Sequence, residues 1–128
     1  MSVLPNEIVK IEFEDSVLGN VAPPITDRKI IEKWSQNLNE SKFTKNADYH
    51  LSVILGRVCF EGADGVPKVV VCANLEQNLL AIDPKMDSSY VYTADRPQLF
   101  DDIVDYIKTE NGAYYNHQMD LLKRLQTK

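Results

Sequence analysis

The chain has 128 residues, 44% apolar and 26% charged, a balance that fits a globular domain and not a disordered segment. A net charge of −5 and a pI near 5.0 argue against non-specific nucleic-acid binding, which needs clustered positive charge. No stretch approaches the ~18 apolar residues of a membrane span. The start, MSVLPNEIVKIEFED, lacks the basic-then-apolar order of a secretory signal. With two cysteines, a reducing, cytoplasmic setting is expected.

The first expected element is a strand over 7–14. Val9, Ile11 and Phe13 alternate with Ile8, Lys10, Glu12 and Glu14, the period of a strand with one wet face. A connecting loop over 15–24 ends in Pro23-Pro24. A helix follows, with Thr26 as N-cap, Asp27 in its first turn and an Ile25–Ile30 hydrophobic staple. Ile30, Ile31, Trp34 and Leu38 form its apolar stripe. The polar stretch 41–48 reads as loop.

Residues 54–75, ILGRVCFEGADGVPKVVVCANL, hold a β-hairpin whose first strand begins near Tyr49. A two-residue Asp64-Gly65 turn of type I′ would place Glu61 opposite Lys68, Phe60 opposite Val69 and Val58 opposite Val71. Cys59, Val70 and Cys72 then lie on the other face, so both faces look apolar and need cover. The two thiols are diagonal neighbours, and buried free cysteines are expected. Leu51, Val53 and Leu55 point away from Val58 and Phe60 unless a bulge at Gly56 switches the phase; both alternatives stand.

Residues 74–78 read as a turn, and 79–83 and 89–93 as short strands joined through Pro84 and Asp87-Ser88. A second helix over 96–109 has Asp95 as cap, Pro97 in its first turn and a stripe of Leu99, Ile103, Val104 and Ile107. Asn111-Gly112 stops it. The last segment, 113–128, is helical in pattern, with Tyr115, Met119, Leu122 and Leu125 as its stripe.

The expected order is β-α-β-β-β-β-α-α in a single α+β domain over 1–128, with four to five antiparallel strands. The first two helices pack on one face. The peripheral C-terminal helix, 113–128, covers the other face, covers an edge or stays free.

No motif carries catalysis. His50 and His117 are 67 residues apart with no ligand-spaced partner, so no metal site and no cofactor are expected. Cys59 and Cys72 sit amid valines, where a thiol is inert. Gly62 to Gly65 is turn chemistry and no phosphate loop. The more suggestive feature is charge. Residues 76–110 carry eight acids against Lys85, Arg96 and Lys108. Asp101, Asp102 and Asp105 fall on the solvent side of the second helix, with Asp95 near its start. Such acids often only solvate a helix face; read functionally, they steer a basic partner. Tyr90 and Tyr92 precede them, and tyrosine suits interfaces.

In size, acidity, single-domain build and absence of catalytic motifs, the chain resembles small immunity proteins of bacterial toxin–immunity pairs. The resemblance covers general character, since those proteins share no signature motif. It implies a non-enzymatic, cytoplasmic inhibitor that occludes the active site of a basic, nuclease-type toxin domain, with acids standing in for phosphates. The choice of Asp95, Asp101, Asp102, Asp105, Tyr90 and Tyr92 as partner-binding residues rests on charge and composition. Two other readings remain. One is a small-ligand or enzymatic domain with a pocket on the sheet face near His50 and residues 41–48. The other is a secretion chaperone or assembly subunit, in which a homodimer forms through the sheet edge or the last helix.

Overall fold

A computed structural model describes residues 3–50, 53–82 and 91–127. Among the described residues seven antiparallel strands form one sheet, with three α-helices, so the fold is α+β. The strands are β1 (Lys10–Asp15), β2 (Gly19–Ile25), β3 (Thr44–Asn46), β4 (Arg57–Glu61), β5 (Pro67–Asn74), β6 (Leu79–Ile82) and β7 (Val91–Asp95). Their order across the sheet is β2-β1-β4-β5-β6-β7-β3. The helices are α1 (Arg28–Glu40), α2 (Gln98–Glu110) and α3 (Gly112–Gln126), and a short 3-10 turn, Pro5–Glu7, precedes β1.

The expected four to five strands fall short by the two edge strands. Residues 15–24 read as a loop because of Pro23-Pro24, yet β2 runs through both prolines. An edge strand tolerates proline, since its outward N–H has no ladder partner to lose. The other edge strand, β3, is three polar residues paired to β7, too short to show alternation. The first hairpin strand starts at Arg57 and not near Tyr49; before it, among the described residues of 49–56, Ile54 bridges to Asn74. Leu51, and residues 83–90 with their turn at Asp87-Ser88 and the start of the 89–93 strand, lie outside the described residues.

The centre of the hairpin pairs as expected: Val58 with Val71, Cys59 with Val70, Phe60 with Val69. Its turn differs. The Gly65 amide donates to the Gly62 carbonyl at 3.0 Å, and the Gly62 amide to the Val66 carbonyl at 3.1 Å. Only Gly65 takes positive φ, +78°, so the turn is longer than type I′ and ends in a bulge. That bulge moves Glu61 opposite Pro67 instead of Lys68. At the other end, Ile54 bridges Asn74 while Val58 pairs with Val71, four residues against three. The extra residue is taken up at Gly56, whose φ is +72°. The phase therefore switches there, and Val53 and Leu55 join Val58 and Phe60 in one core.

That core lies on the first sheet face. Ile11, Phe13, Val58, Phe60, Val71 and Leu80 meet Ile31, Trp34 and Leu38 of α1 and Leu99, Phe100, Ile103 and Ile107 of α2. Tyr114 and Leu122 of α3 belong to the same core, so the last helix does not cover the second face. An aromatic knot ties the layers. The Phe13 ring stacks on Tyr106 at 4.9 Å, and Trp34 meets both edge-on at 5.9 and 5.8 Å. The second face carries Lys10, Glu12, Glu14, Arg57, Cys59 and Glu61 along β1 and β4. It also carries a small apolar cluster, Leu79, Ala81 and Val91, with Tyr49 against it. Both cysteines are free and buried.

Helix ends deviate by a residue or two. Asp27, not Thr26, caps α1, its carboxylate accepting from the Lys29 and Ile30 amides at 2.9 and 3.2 Å. The Ile25–Ile30 staple is thereby lost and Ile30 is 40% exposed. Asp95 ends β7 and is not the cap of α2; Arg96 turns the chain at φ +34° and Pro97 takes the cap position. Asn111 closes α2 and caps α3 through the Tyr114 amide at 3.1 Å. In α3 the buried residues are Tyr114, Gln118 and Leu122, with Leu125 exposed.

Candidate functional site

The helical period of α2 turns Leu99, Phe100, Ile103 and Ile107 inward and leaves its acids outside. The structure then gives each acid a different job. Asp101 accepts from Arg96 Nε and Nη2 at 3.2 and 3.1 Å, and the same guanidinium stands 5.4 Å above the Phe100 ring. Asp102 accepts from Asn37 Nδ2 at 2.6 Å and Gln98 Nε2 at 3.1 Å, which fastens α1 to α2. Asp105 is exposed. Asp95 is exposed at the end of β7. Tyr92 is 46% exposed in β7, opposite Lys45 of β3. Tyr90 lies outside the described residues.

These residues do not form one patch. Asp102 and Asp105 line a groove of about 340 Å³ between α1 and α2. Its apolar lining is Ile30, Trp34 and Tyr106; Glu110 extends its acidic wall, and Lys33 faces it. Burial, then the Glu110 charge, push the Tyr106 hydroxyl above its ordinary pKa, so the phenol stays neutral. Asp95 instead lines a separate cavity of about 480 Å³ with Glu40, Lys42, Thr44 and Gln98. Asn37 and Gln98 line that cavity while donating to Asp102 of the groove, so one hydrogen-bonded wall divides the two.

Sequence reasoning missed a second cluster. Glu12, Glu14 and Glu61 bring carboxylate oxygens within 4.8 Å of one another on the second sheet face. Antiparallel pairing of β1 with β4 does this, since Lys10 stands opposite Glu61 and Glu14 opposite Arg57. The visible signal was the wet face of β1; the missing knowledge was that β4 lies beside it. Lys10 Nζ sits 2.7 Å from Glu12 and 3.8 Å from Glu61, so an ammonium already supplies the positive charge that a metal ion would bring. The hydrogen bond from Lys10 holds Glu12 below the usual glutamate range. Glu61 is 6% exposed, and burial, then its bond with Glu12, raise its pKa. The two carboxyls thus part in proton affinity, Glu61 binding a proton more readily than Glu12. Beside them burial, then the charge of Glu14, push the Cys59 thiol up to about 11, which leaves it unreactive.

The histidines stay apart. His50 Nε2 meets Glu76 at 2.6 Å on the surface, and that bond raises the histidine pKa. His117 meets Gln118 on α3 at 3.1 Å. Among the described residues no helix is long and apolar enough to cross a membrane. Comparison with protein-family models, with curated proteins and with solved structures gave no match to this chain.

Proposed function

We propose that the protein is a non-enzymatic protein-binding module of the immunity type, which neutralises a basic toxin or nuclease by occluding its active site. The observation that carries this reading is the α1/α2 groove, where an apolar floor of Ile30, Trp34 and Tyr106 runs beneath acids of α2. Apolar area supplies affinity, and the acidic wall supplies steering and register for a basic segment. Asp102 is held rigid by Asn37 and Gln98, so the partner does not have to order it. A cytoplasmic setting belongs to the same reading and agrees with two free cysteines.

The test starts from affinity capture in the native host, which on this reading recovers one dominant basic protein. Exposed acids are then reversed with Asp105→Lys and Glu110→Lys, which leave the Asp102 wall intact. Association with the recovered partner slows about 10-fold or more at low salt, and its salt dependence flattens. An unchanged rate and salt slope refute the groove as the binding face.

A second reading has its own observation. The Glu12–Glu61 pair, one carboxyl shifted up and the other down in pKa, has the kind of separation that acid–base catalysis uses. It favours an enzymatic or ligand-binding domain working on the second sheet face. Under that reading Glu61→Gln abolishes turnover while partner capture is unaffected.

A further inference from the structure

Among the described residues, the most exposed large apolar side chains are neighbours. Val17 is 87% exposed and Leu18 65%, at the tip joining β1 to β2. Single exposed apolar residues are ordinary; two adjacent ones on a tip that the rest of the fold holds in place are less so. The hold is specific. Asp15 Oδ1 accepts from the Val17 amide at 2.9 Å and the Leu18 amide at 3.1 Å. Asp15 Oδ2 accepts from the Tyr114 hydroxyl at 2.9 Å. Gly19, at φ +79°, lets the chain turn back into β2. Burial works against the Asp15 charge, but these three donors outweigh it and keep the carboxyl below its ordinary pKa. Tyr114 is itself core, at the first turn of α3. So a buried tyrosine 99 residues away reaches out to set the shape of an exposed apolar loop.

The tip also connects to the α1/α2 groove. Along β2, Asn111 Nδ2 donates to the Val21 carbonyl at 2.9 Å, and the Tyr106 hydroxyl donates to the Pro23 carbonyl at 2.7 Å. Tyr106 lines the groove. One flank of the molecule therefore runs from groove to tip over hydrogen bonds that lock β2 to α2 and α3. The two sources of apolar surroundings for such a tip are a bilayer and a protein pocket. A chain of net charge −5, with Glu14 beside the tip and no basic residue between Asp15 and Asp27, is repelled by anionic lipid headgroups. The same charges suit a protein pocket with a basic rim.

We infer that the β1–β2 tip is a preformed insertion element, with Val17 and Leu18 entering an apolar, basic-rimmed pocket on a protein partner while Asp15 and Tyr114 hold them in shape. The inference rests on the binding-module reading but not on the groove. Preorganisation is what the geometry adds, because a loop already fixed loses less freedom on binding.

The test uses the full chain with Val17→Cys, labelled by benzophenone maleimide. Cys59 and Cys72 are buried, so the label goes to the tip. Irradiation in host lysate is expected to give one adduct with a protein other than this chain. Unlabelled wild-type protein competes it away. A Val17→Asp/Leu18→Asp competitor does so at least about 10-fold less well. Both side chains are solvent-facing, so this variant folds, and unchanged Trp34 fluorescence checks it. Tyr114→Phe, which keeps Val17 and Leu18 but removes one of the three donors that hold Asp15, competes several-fold less well. An Asp105→Lys/Glu110→Lys competitor separates the two readings: if it competes like wild type, the groove reading fails and the tip stands. Equal competition by the Val17→Asp/Leu18→Asp variant overturns the inference. So does an adduct with a second copy, or the absence of a competed adduct. Co-sedimentation with phosphatidylcholine or phosphatidylglycerol vesicles that the double variant loses also overturns it, assigning the tip to lipid.

Discussion

Tyr114→Phe deletes one oxygen and leaves the ring in the core, so its cost measures how firmly the tip is held. The hydroxyl donates to Asp15 Oδ2 at 2.9 Å, a bond to an ionised acceptor. Such bonds contribute about 1.5–3 kcal/mol. Asp15 is only partly buried and keeps the Val17 and Leu18 amides, so water replaces part of the loss. The expected cost is therefore at the low end, about 1–2 kcal/mol. With a urea m-value of roughly 1–3 kcal/mol/M, the midpoint falls by about 0.3–2 M. Trp34, the single tryptophan, reports unfolding by its fluorescence. The pH dependence sharpens the case. The folded pKa of Asp15 is depressed, so its contribution is present above the ordinary value of 3.8 and is lost as pH falls through the folded pKa. The difference between wild type and Tyr114→Phe should thus hold at pH 7 and shrink below about pH 3.8. Amide exchange at Val17 and Leu18 should quicken at pH 7. A cost below about 0.5 kcal/mol, or the same cost at both pH values, refutes the view that Tyr114 anchors the tip through a charged Asp15.

Phe13 lies at the centre of the aromatic knot, and Phe13→Ala should cost about 3–5 kcal/mol in urea unfolding, with a change in native Trp34 emission. Glu61 has a raised folded pKa, so its stability contribution is full below the ordinary glutamate value and is lost as pH rises through the folded pKa. Glu61→Gln mimics the protonated form, so its Tm relative to wild type should climb as pH rises above the ordinary glutamate value of 4.5; a flat difference counts against a raised Glu61 pKa. Gly56→Ala should be the worse of two glycine changes. Its Cβ would lie 2.6 Å from the Glu14 carbonyl oxygen at φ +72°, while at Gly65, φ +78°, a Cβ meets nothing within 4 Å. Chemical denaturation should show about 1–2 kcal/mol for Gly65→Ala and clearly more for Gly56→Ala.

Much of the fold was readable because the relevant signals are local. Val58, Phe60, Val69 and Val71 alternate around a glycine turn, and their pairing follows. The stripes Ile31–Trp34–Leu38 and Leu99–Ile103–Ile107 repeat at helical spacing, and both are buried. What failed was at the margins. The edge strand β2 contains the prolines that ordinarily exclude a strand, and β3 has no apolar residue to reveal it. The hairpin turn was mistaken because Asp-Gly serves two geometries, and the choice depends on where Gly62 and Val66 bond.

The candidate site divides along the same line. That α2 carries acids outward is a matter of period, and the sequence shows it. That Asp102 is engaged by Asn37, 65 residues away, while Asp105 stays exposed is tertiary, and no spacing encodes it. The Asp15 tip is the sharpest instance. In sequence, Ser16-Val17-Leu18-Gly19 is a loop with two stray apolar residues. In the fold, a carboxylate with three donors makes that loop a fixed shape, and one donor comes from the far end of the chain. An unanchored pair of apolar side chains loses about 0.5–1.5 kcal/mol each in freedom when a partner immobilises it. Anchoring the backbone in advance lowers that cost, and the molecule commits a core tyrosine to doing so. A tip with only a structural role has no need to keep Val17 and Leu18 in water; the β1–β2 connection would close as well with polar residues there.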